Sequence, residues 1–313
     1  MNGLELSKAF YEEYGKPMLD EQFHNLFPFL AVGLFGSGSE CFGYDDEISR
    51  DHDYEPGFCL FLPGEEIVSR RDAFLLERAY SRLPHSFRGY ERASVLPVGG
   101  ARHGVFRTGE FFIRVVGSPD GDLSTAQWLT LPEQALAEAT NGSVFCDYYG
   151  EVTQIRKNLE YFPEDIRLKR LAGNLLLMAQ SGPYNYSRCL RHNEPAAAQL
   201  AVIEFVKATL SVIFLLNRRY QPYYKWVFRS LRELTLFSEL SAQLEFLLTT
   251  GSSDSLSIQK EKMIESISCS IIKELRVQSL TRAAGNELES HAYSVNDHIK
   301  DAELRNLHIL AAV

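Results

Sequence analysis

The stretch GSGSECFGYDDEISRDHDYEPGFCLFL, residues 36–62, decides the fold of this chain. It opens on a glycine-serine turn, crosses an acidic segment and ends in the apolar run Phe58-Cys59-Leu60-Phe61-Leu62, short enough for a buried strand. Immediately upstream, FPFLAVGLFG at residues 27–36 is a second run of the same kind. Between Glu40 and Glu55 seven carboxylates face one arginine, and residues 39–44 fit a short helix. Strand, turn, short helix, strand is the simplest local structure this pattern specifies.

Working outward, residues 4–14 place Leu4, Phe10, Tyr11 and Tyr14 at helical spacing, so a helix precedes the first strand. Pro63-Gly64 ends the second strand, and residues 65–83 carry acids first and then Ile67, Phe74, Leu75 and Ala79 at helical spacing. Residues 92–116 read as strand-like, GSPDGD at 117–122 as a turn, and GSVFCD at 142–147 as one more short strand. From Val152 onward helical spacing is nearly continuous, broken at Gly182-Pro183, Pro195, Pro222 and the polar stretch 251–255. The expected fold class is α+β: a mixed sheet with flanking helices in a first domain, residues 1–150, followed by an all-α helical bundle, residues 151–313. The tail 290–313 reads as a terminal helix packed on the bundle and a contributor to a homodimer.

With 313 residues and 45% hydrophobic content, the chain is long enough for two cores. A formal net charge of -9 argues against gripping long nucleic acid by phosphate neutralisation and favours a small or nucleotide-sized substrate. Five dispersed cysteines form no CxxC pair, which excludes a zinc knuckle or disulfide framework and fits a reduced, cytoplasmic setting. Neither an export signal nor a membrane span is expected.

Asp51 and Asp53, two apart at the head of a strand, point to one side and together can hold a hard cation. Oxygen-only ligation suits Mg2+, which borrows its remaining ligands from water and substrate phosphates. Upstream, Gly38 lets the backbone approach a phosphate closely and Ser39 adds a hydroxyl where a helix begins. A lone Gly-Ser or a lone Asp-x-Asp is ordinarily a solvated loop; the two together between apolar strands point to phosphate and metal. Asp45, Asp46 and Glu47 fit better as a solvated turn or a helix cap.

Gly38-Ser39-Glu-Cys-Phe-Gly43 followed by Ser49-Arg-Asp51-His-Asp53 resembles the DNA polymerase beta-like nucleotidyltransferase superfamily, and within it the aminoglycoside and lincosamide adenylyltransferases. The longer string GSECFGYDDEISRDHDYEPGF, with YNYSRCLRHNE and YYKWVFR further on, is similar to a bacterial domain-of-unknown-function family with a nucleotidyltransferase core. The chain departs from the antibiotic-modifying enzymes in a slightly longer gap before Asp51, in His52 and in the Tyr54-Glu55-Pro56-Gly57 entry to the strand. The resemblance implies a nucleotidyltransferase-like sheet and a third metal-binding carboxylate on a later strand, for which Asp147 and Glu110 both stand as candidates.

It also implies that the helical half supplies basic or aromatic groups to the nucleotide and an acid to the acceptor. Arg188 and Arg191 would then contact phosphate and Glu194 would be the base, with Lys225 in the aromatic segment Tyr220 to Trp226 a further phosphate ligand. Helix capping and surface ion pairing explain the same residues equally well. Leu210 to Leu216 and residues 237–248 are core. His103 and His192 each lack a second histidine at metal spacing, and the GxSxG, HExxH and GxGxxG patterns do not occur. The expected activity is Mg2+-dependent transfer of a nucleoside monophosphate, AMP from ATP, to a hydroxyl of a small molecule. Two alternatives stay open: a protein or RNA acceptor, and a nucleotide-binding regulator or toxin–antitoxin partner without turnover.

Overall fold

The computed structural model describes residues 1–48, 55–92, 102–251 and 254–313. The chain is mixed α and β, with many helices around a small mixed sheet, and it divides into two compact units. The first comprises Met1–Ser124 and Leu131–Glu160; the second comprises Thr125–Thr130 and Tyr161–Val313.

In the first unit, β1 (Ala31–Leu34) and β2 (Cys59–Leu62) are buried at every position, as continuous apolar runs require. β3 (Ser86–Phe87) and β4 (Tyr90–Glu91) form a separate two-stranded ladder. β5 (Gly104–Arg107) and β6 (Ser143–Asp147) complete a four-stranded sheet of order β5-β2-β1-β6. β1 is antiparallel to both neighbours, with Gly33 opposite Cys59 on one side and Val144 on the other, while β2 and β5 run parallel with Cys59 opposite Gly104.

Six helices flank this sheet within the unit or lead out of it: α1 (Gly3–Phe10), α2 (Lys16–Gln22), α3 (Ser39–Phe42), α4 (Arg70–Ser81), α5 (Thr108–Val116) and α6 (Thr125–Thr130). α7 (Glu133–Thr140) and α8 (Glu151–Asn158) return to it. α1 starts with a reciprocal box between Asn2 and Glu5, and the Asp45 carboxylate accepts from the Gly3 N–H at 2.8 Å. Asp45 is therefore a helix cap. Gly15 brings the backbone against Phe58, whose ring a methyl group there would strike at 2.5 Å.

Three local expectations are corrected. Phe27–Phe29 is a turn of 3-10 helix, with Pro28 in its first turn, so β1 begins only at Ala31. The helix predicted over 65–83 begins at Arg70, because Ser69 is its N-cap and accepts from the Asp72 N–H. Of the described residues in 92–116 only 104–107 are strand; Thr108–Val116 is helical, burying Phe111, Phe112 and Val116 before Gly117 closes it at φ 73°.

The second unit is helical: α9 (Glu164–Ala179), α10 (Ser187–Arg191), α11 (Pro195–Leu216), α12 (Tyr224–Leu231), α13 (Ser241–Thr249), α14 (Asp254–Val277), α15 (Leu288–Asn296) and α16 (Ala302–Asn306). α11 is long and apolar enough to cross a bilayer, yet packs against α9 and α13 and buries Phe205, Ile213 and Phe214 completely. The tail expected as one terminal helix is two short ones, α15 and α16. The units divide near residue 160. α8 stays with the sheet, while α6 joins the bundle: Arg170 donates to the Trp128 and Leu129 carbonyls at 3.0 and 3.1 Å, and the Trp128 ring packs on Phe162.

Two outcomes follow from this packing. At Gly33 a Cβ would stand 2.6 Å from the Ser143 carbonyl oxygen, a backbone atom that cannot swing aside, so Gly33→Ala should cost about 1–3 kcal/mol in urea unfolding. In the bundle, Arg167 and Arg218 both donate to Glu164, and the Arg167 hydrogen bond foremost lowers the Glu164 pKa. That stabilisation is complete above the unfolded carboxyl pKa of about 4.3 and is lost as pH falls through the folded value. Glu164→Gln should accordingly lower the unfolding temperature at pH 7 and leave a shallower loss of stability below about pH 4.5 than in the parent chain.

Candidate functional site

Because β1 and β2 are antiparallel, the turn leaving β1 and the chain entering β2 lie at one edge of the sheet. β1 ends at Leu34, and Gly36, at φ 133°, turns the backbone toward Gly38 and Ser39, which open α3. Asn141 fixes this turn from both sides: its amide oxygen accepts from the Gly36 N–H at 2.9 Å and its amide nitrogen donates to the Gly36 carbonyl at 2.7 Å. The Gly142 N–H donates to the Cys41 carbonyl at 2.8 Å. Arg156 closes the same corner, with its guanidinium 4.5 Å from the Phe35 ring centroid and one nitrogen donating to the Thr140 and Asn141 carbonyls at 2.8 and 2.7 Å.

Gly38 faces a neighbour inside the protein. A Cβ there would collide with the carboxylate of Glu40, a residue almost wholly buried. Cys41, also buried, has its thiol pKa raised, first by burial and then by the Glu40 charge, with Arg102 opposing. Cys59 across the sheet is pushed up to about 12 by burial. These thiols stay protonated and are not nucleophiles.

At the same edge, β2 is entered through Glu55, Pro56, Gly57 and Phe58. His103 Nδ1 lies 3.2 Å from Glu55 Oε1, and the bare Gly57 leaves room for the imidazole, whose Cγ would be 2.7 Å from a Cβ. Arg102 precedes it and acts electrostatically on Cys41 and on Glu138, whose carboxyl pKa is raised by burial. Among the described residues, Glu40, Glu55, Glu138, Arg102, His103 and Arg156 are charged or titratable groups of this part of the unit, with the Cys41 and Cys59 thiols. Glu40 and Glu55 bound the acidic segment that the sequence marks, whereas Arg102, Glu138 and Arg156 carry no local signal.

Asp51 and Asp53 lie outside the described residues. Gly38 and Ser39 stand at the turn, as just set out. The two candidates for a third carboxylate lie at the edge of the sheet opposite the turn. β6 runs antiparallel to β1, so Asp147 pairs with Ala31, about 10 Å along the strand from Leu34. Its carboxylate accepts from the Gly150 and Thr153 N–H groups at 2.9 and 2.7 Å and caps α8. Glu110 is exposed in the first turn of α5, just beyond Arg107, which pairs with Leu62 at the far end of β2. Among the described residues no cluster of three His, Cys, Asp or Glu side chains could hold a metal ion.

Arg188, Arg191, Glu194 and Lys225 all belong to the helical unit and are exposed. Arg188 lies over the Tyr184 ring and Lys225 over Trp226, each at 4.9 Å, Arg191 donates weakly to the Ser187 carbonyl at 3.4 Å, and Glu194 is the N-cap residue of α11. Pro195 in the first turn of α11 and the capping position account for the local sequence there.

A family model described as a domain of unknown function, DUF4037, matches residues 128–227, which is 100 of the 313 residues. The match runs from Trp128 in α6 to Val227 in α12, so it takes in β6, Asp147, Arg188, Arg191, Glu194 and Lys225 and leaves out the Gly38-Ser39 turn. No curated protein matches the chain.

Proposed function

We propose that the protein is a nucleotidyltransferase with a nucleotidyltransferase-like sheet, moving AMP from ATP to a hydroxyl of a small molecule with the help of Mg2+. One observation carries this reading: the antiparallel pairing of β1 with β2 sets the Gly36–Ser39 turn and the entry to β2 at one sheet edge. Asp51 and Asp53 directly precede that entry in the chain. On this reading the two aspartates hold the ion and the turn holds phosphate. Such chemistry asks the protein mainly for in-line positioning and charge neutralisation. The third carboxylate is Asp147 or Glu110 on the family resemblance, with Glu55 and Glu138 as further acids of the same unit.

A second reading, nucleotide binding without turnover, draws support from Asp147 and Glu110 standing at the far edge. The two readings separate on pyrophosphate. With ATP, Mg2+ and a panel of hydroxyl acceptors including aminoglycosides, the transferase releases pyrophosphate and labels the acceptor. The double change Asp51→Ala, Asp53→Ala should lower that rate about a thousandfold or more, several kcal/mol of charge stabilisation, with an unchanged circular dichroism spectrum. Calorimetric binding of Mg2+-ATP with no pyrophosphate across the panel would overturn transfer and leave the second reading.

A further inference from the structure

Beside β5, the outer strand of its sheet, the first unit holds an open cavity of about 160 Å3. Glu77 of α4, Glu110 and Arg114 of α5 and Arg107 at the end of β5 all line it, two charges of each sign. Arg107 is half-buried and the other three are exposed, so each has surface that a ligand can reach. The rest of the wall is mostly apolar, with Leu62 and Phe111 buried and Val105 and Phe106 half-buried. The cations are held in place without being neutralised. One η nitrogen of Arg107 donates to the Pro63 carbonyl at 2.6 Å, and the Arg114 guanidinium lies over the Phe106 and Phe111 rings, 5.6 and 5.5 Å from their centroids. Glu110 stands one helical turn before Arg114, a spacing at which opposite charges commonly pair. Yet among the described residues the side chains of Glu77, Glu110 and Arg114 make no ion pair or hydrogen bond.

We propose that this cavity binds a small zwitterion with an apolar side chain, an α-amino acid whose carboxylate accepts from Arg107 and Arg114 and whose ammonium donates to Glu77 and Glu110. The mixture of charges selects against simpler ligands: an anion alone meets both carboxylates, and a cation alone meets both guanidiniums. A molecule carrying both signs satisfies all four groups. The guanidinium fork matches the two oxygens of a carboxylate, and an ammonium has three donors to share between two acids. Sites for drug-sized ligands run to roughly 300–1,000 Å3, so a cavity of about 160 Å3 takes a smaller molecule. The aliphatic and aromatic wall favours an apolar side chain. Because Arg107 and Arg114 are already fixed by carbonyl and ring contacts, little side-chain freedom is lost on binding. The cavity lies where β2 and β5 end, away from the Gly36–Ser39 turn, so the proposal stands without the nucleotide reading. On it, Glu110 faces an ammonium and not a metal ion.

The test is calorimetric titration of the full chain with L-leucine, L-methionine and L-phenylalanine, and with two leucine derivatives. N-acetyl-L-leucine lacks the ammonium and L-leucinamide lacks the carboxylate. Expected is binding of at least one of the amino acids, with each derivative about tenfold or more weaker than L-leucine, as loss of a charge-assisted hydrogen bond implies. Glu77→Gln and Arg114→Gln, both at exposed positions, should each weaken amino-acid binding by a similar factor while keeping the circular dichroism spectrum of the parent. In the unaltered chain the bound amino acid should slow amide exchange over residues 104–114. No binding of any of the three amino acids up to about 10 mM overturns the proposal. Binding that both folded variants leave unchanged, or that does not distinguish L-leucine from its derivatives, overturns it as well. Exchange over 104–114 that the amino acid leaves unaltered is equally fatal, even if neither variant folds. If inorganic phosphate or spermidine protects 104–114 at lower concentration than any of the amino acids, the cavity is an anion or a cation site and the zwitterion falls.

Discussion

Everything at the candidate site depends on the double antiparallel pairing of β1. Held between β2 and β6, this four-residue strand fixes which loop ends meet at which edge of the sheet. Its C-terminal edge collects the Gly36 turn, the entry to β2, the start of β5 and the end of α7; its N-terminal edge collects Asp147 and the ends of β2 and β5. Gly33 makes the arrangement sterically attainable, since β6 approaches so closely that the Ser143 carbonyl fills the position of a side chain. The ladder shifts register beside it, between Val32 and Gly33. Asn141, at the end of α7, then locks the turn to the strand that follows it.

The electrostatics at that edge are mixed. Glu40 is nearly buried against Gly38, so the turn presents carboxylate as well as amide and hydroxyl donors. A polyphosphate arriving alone would meet that charge at short range, where partial burial weakens solvent screening. On the nucleotidyl-transfer reading, a divalent ion brought with the nucleotide would offset it. Mg2+ is therefore needed, on that reading, for binding and not for chemistry alone.

How much of this was legible in the sequence differs from residue to residue. The buried strands Ala31–Leu34 and Cys59–Leu62, the helical character of the second half and the break at Pro222 follow from hydropathy and turn chemistry, which act locally. The direction in which β6 and β5 run is a property of the assembled sheet, and it is this that carries Asp147 and Glu110 to the edge away from the turn. A carboxylate at a strand end reads the same in either orientation. Thr108–Val116 misled for a different reason: the apolar cluster Phe111, Phe112, Ile113, Val115 and Val116 satisfies either period until packing on the sheet selects the helix. Likewise nothing local tells that α6 joins the bundle, because the decisive bonds come from Arg170, some forty positions later.

The buried cations share a logic that periodicity alone does not reveal. Arg170 closes the carbonyls at the end of α6, Arg167 reaches the Leu215 carbonyl at the end of α11, Lys260 binds the Leu247 and Thr250 carbonyls at the end of α13, and Lys169 binds those of Arg305 and Leu307 after α16. Each places positive charge where a helix leaves orphan acceptors and the negative end of its dipole, which offsets the cost of burying the cation. Burial lowers the pKa of Lys169 and Lys260, as expected for ammonium groups withdrawn from water and paired with dipoles instead of carboxylates. Arg156 follows the same rule at the end of α7, and for that reason its charge is not by itself a sign of function. Its guanidinium also covers the Phe35 ring, so one side chain closes the end of α7 and packs on the residue after β1.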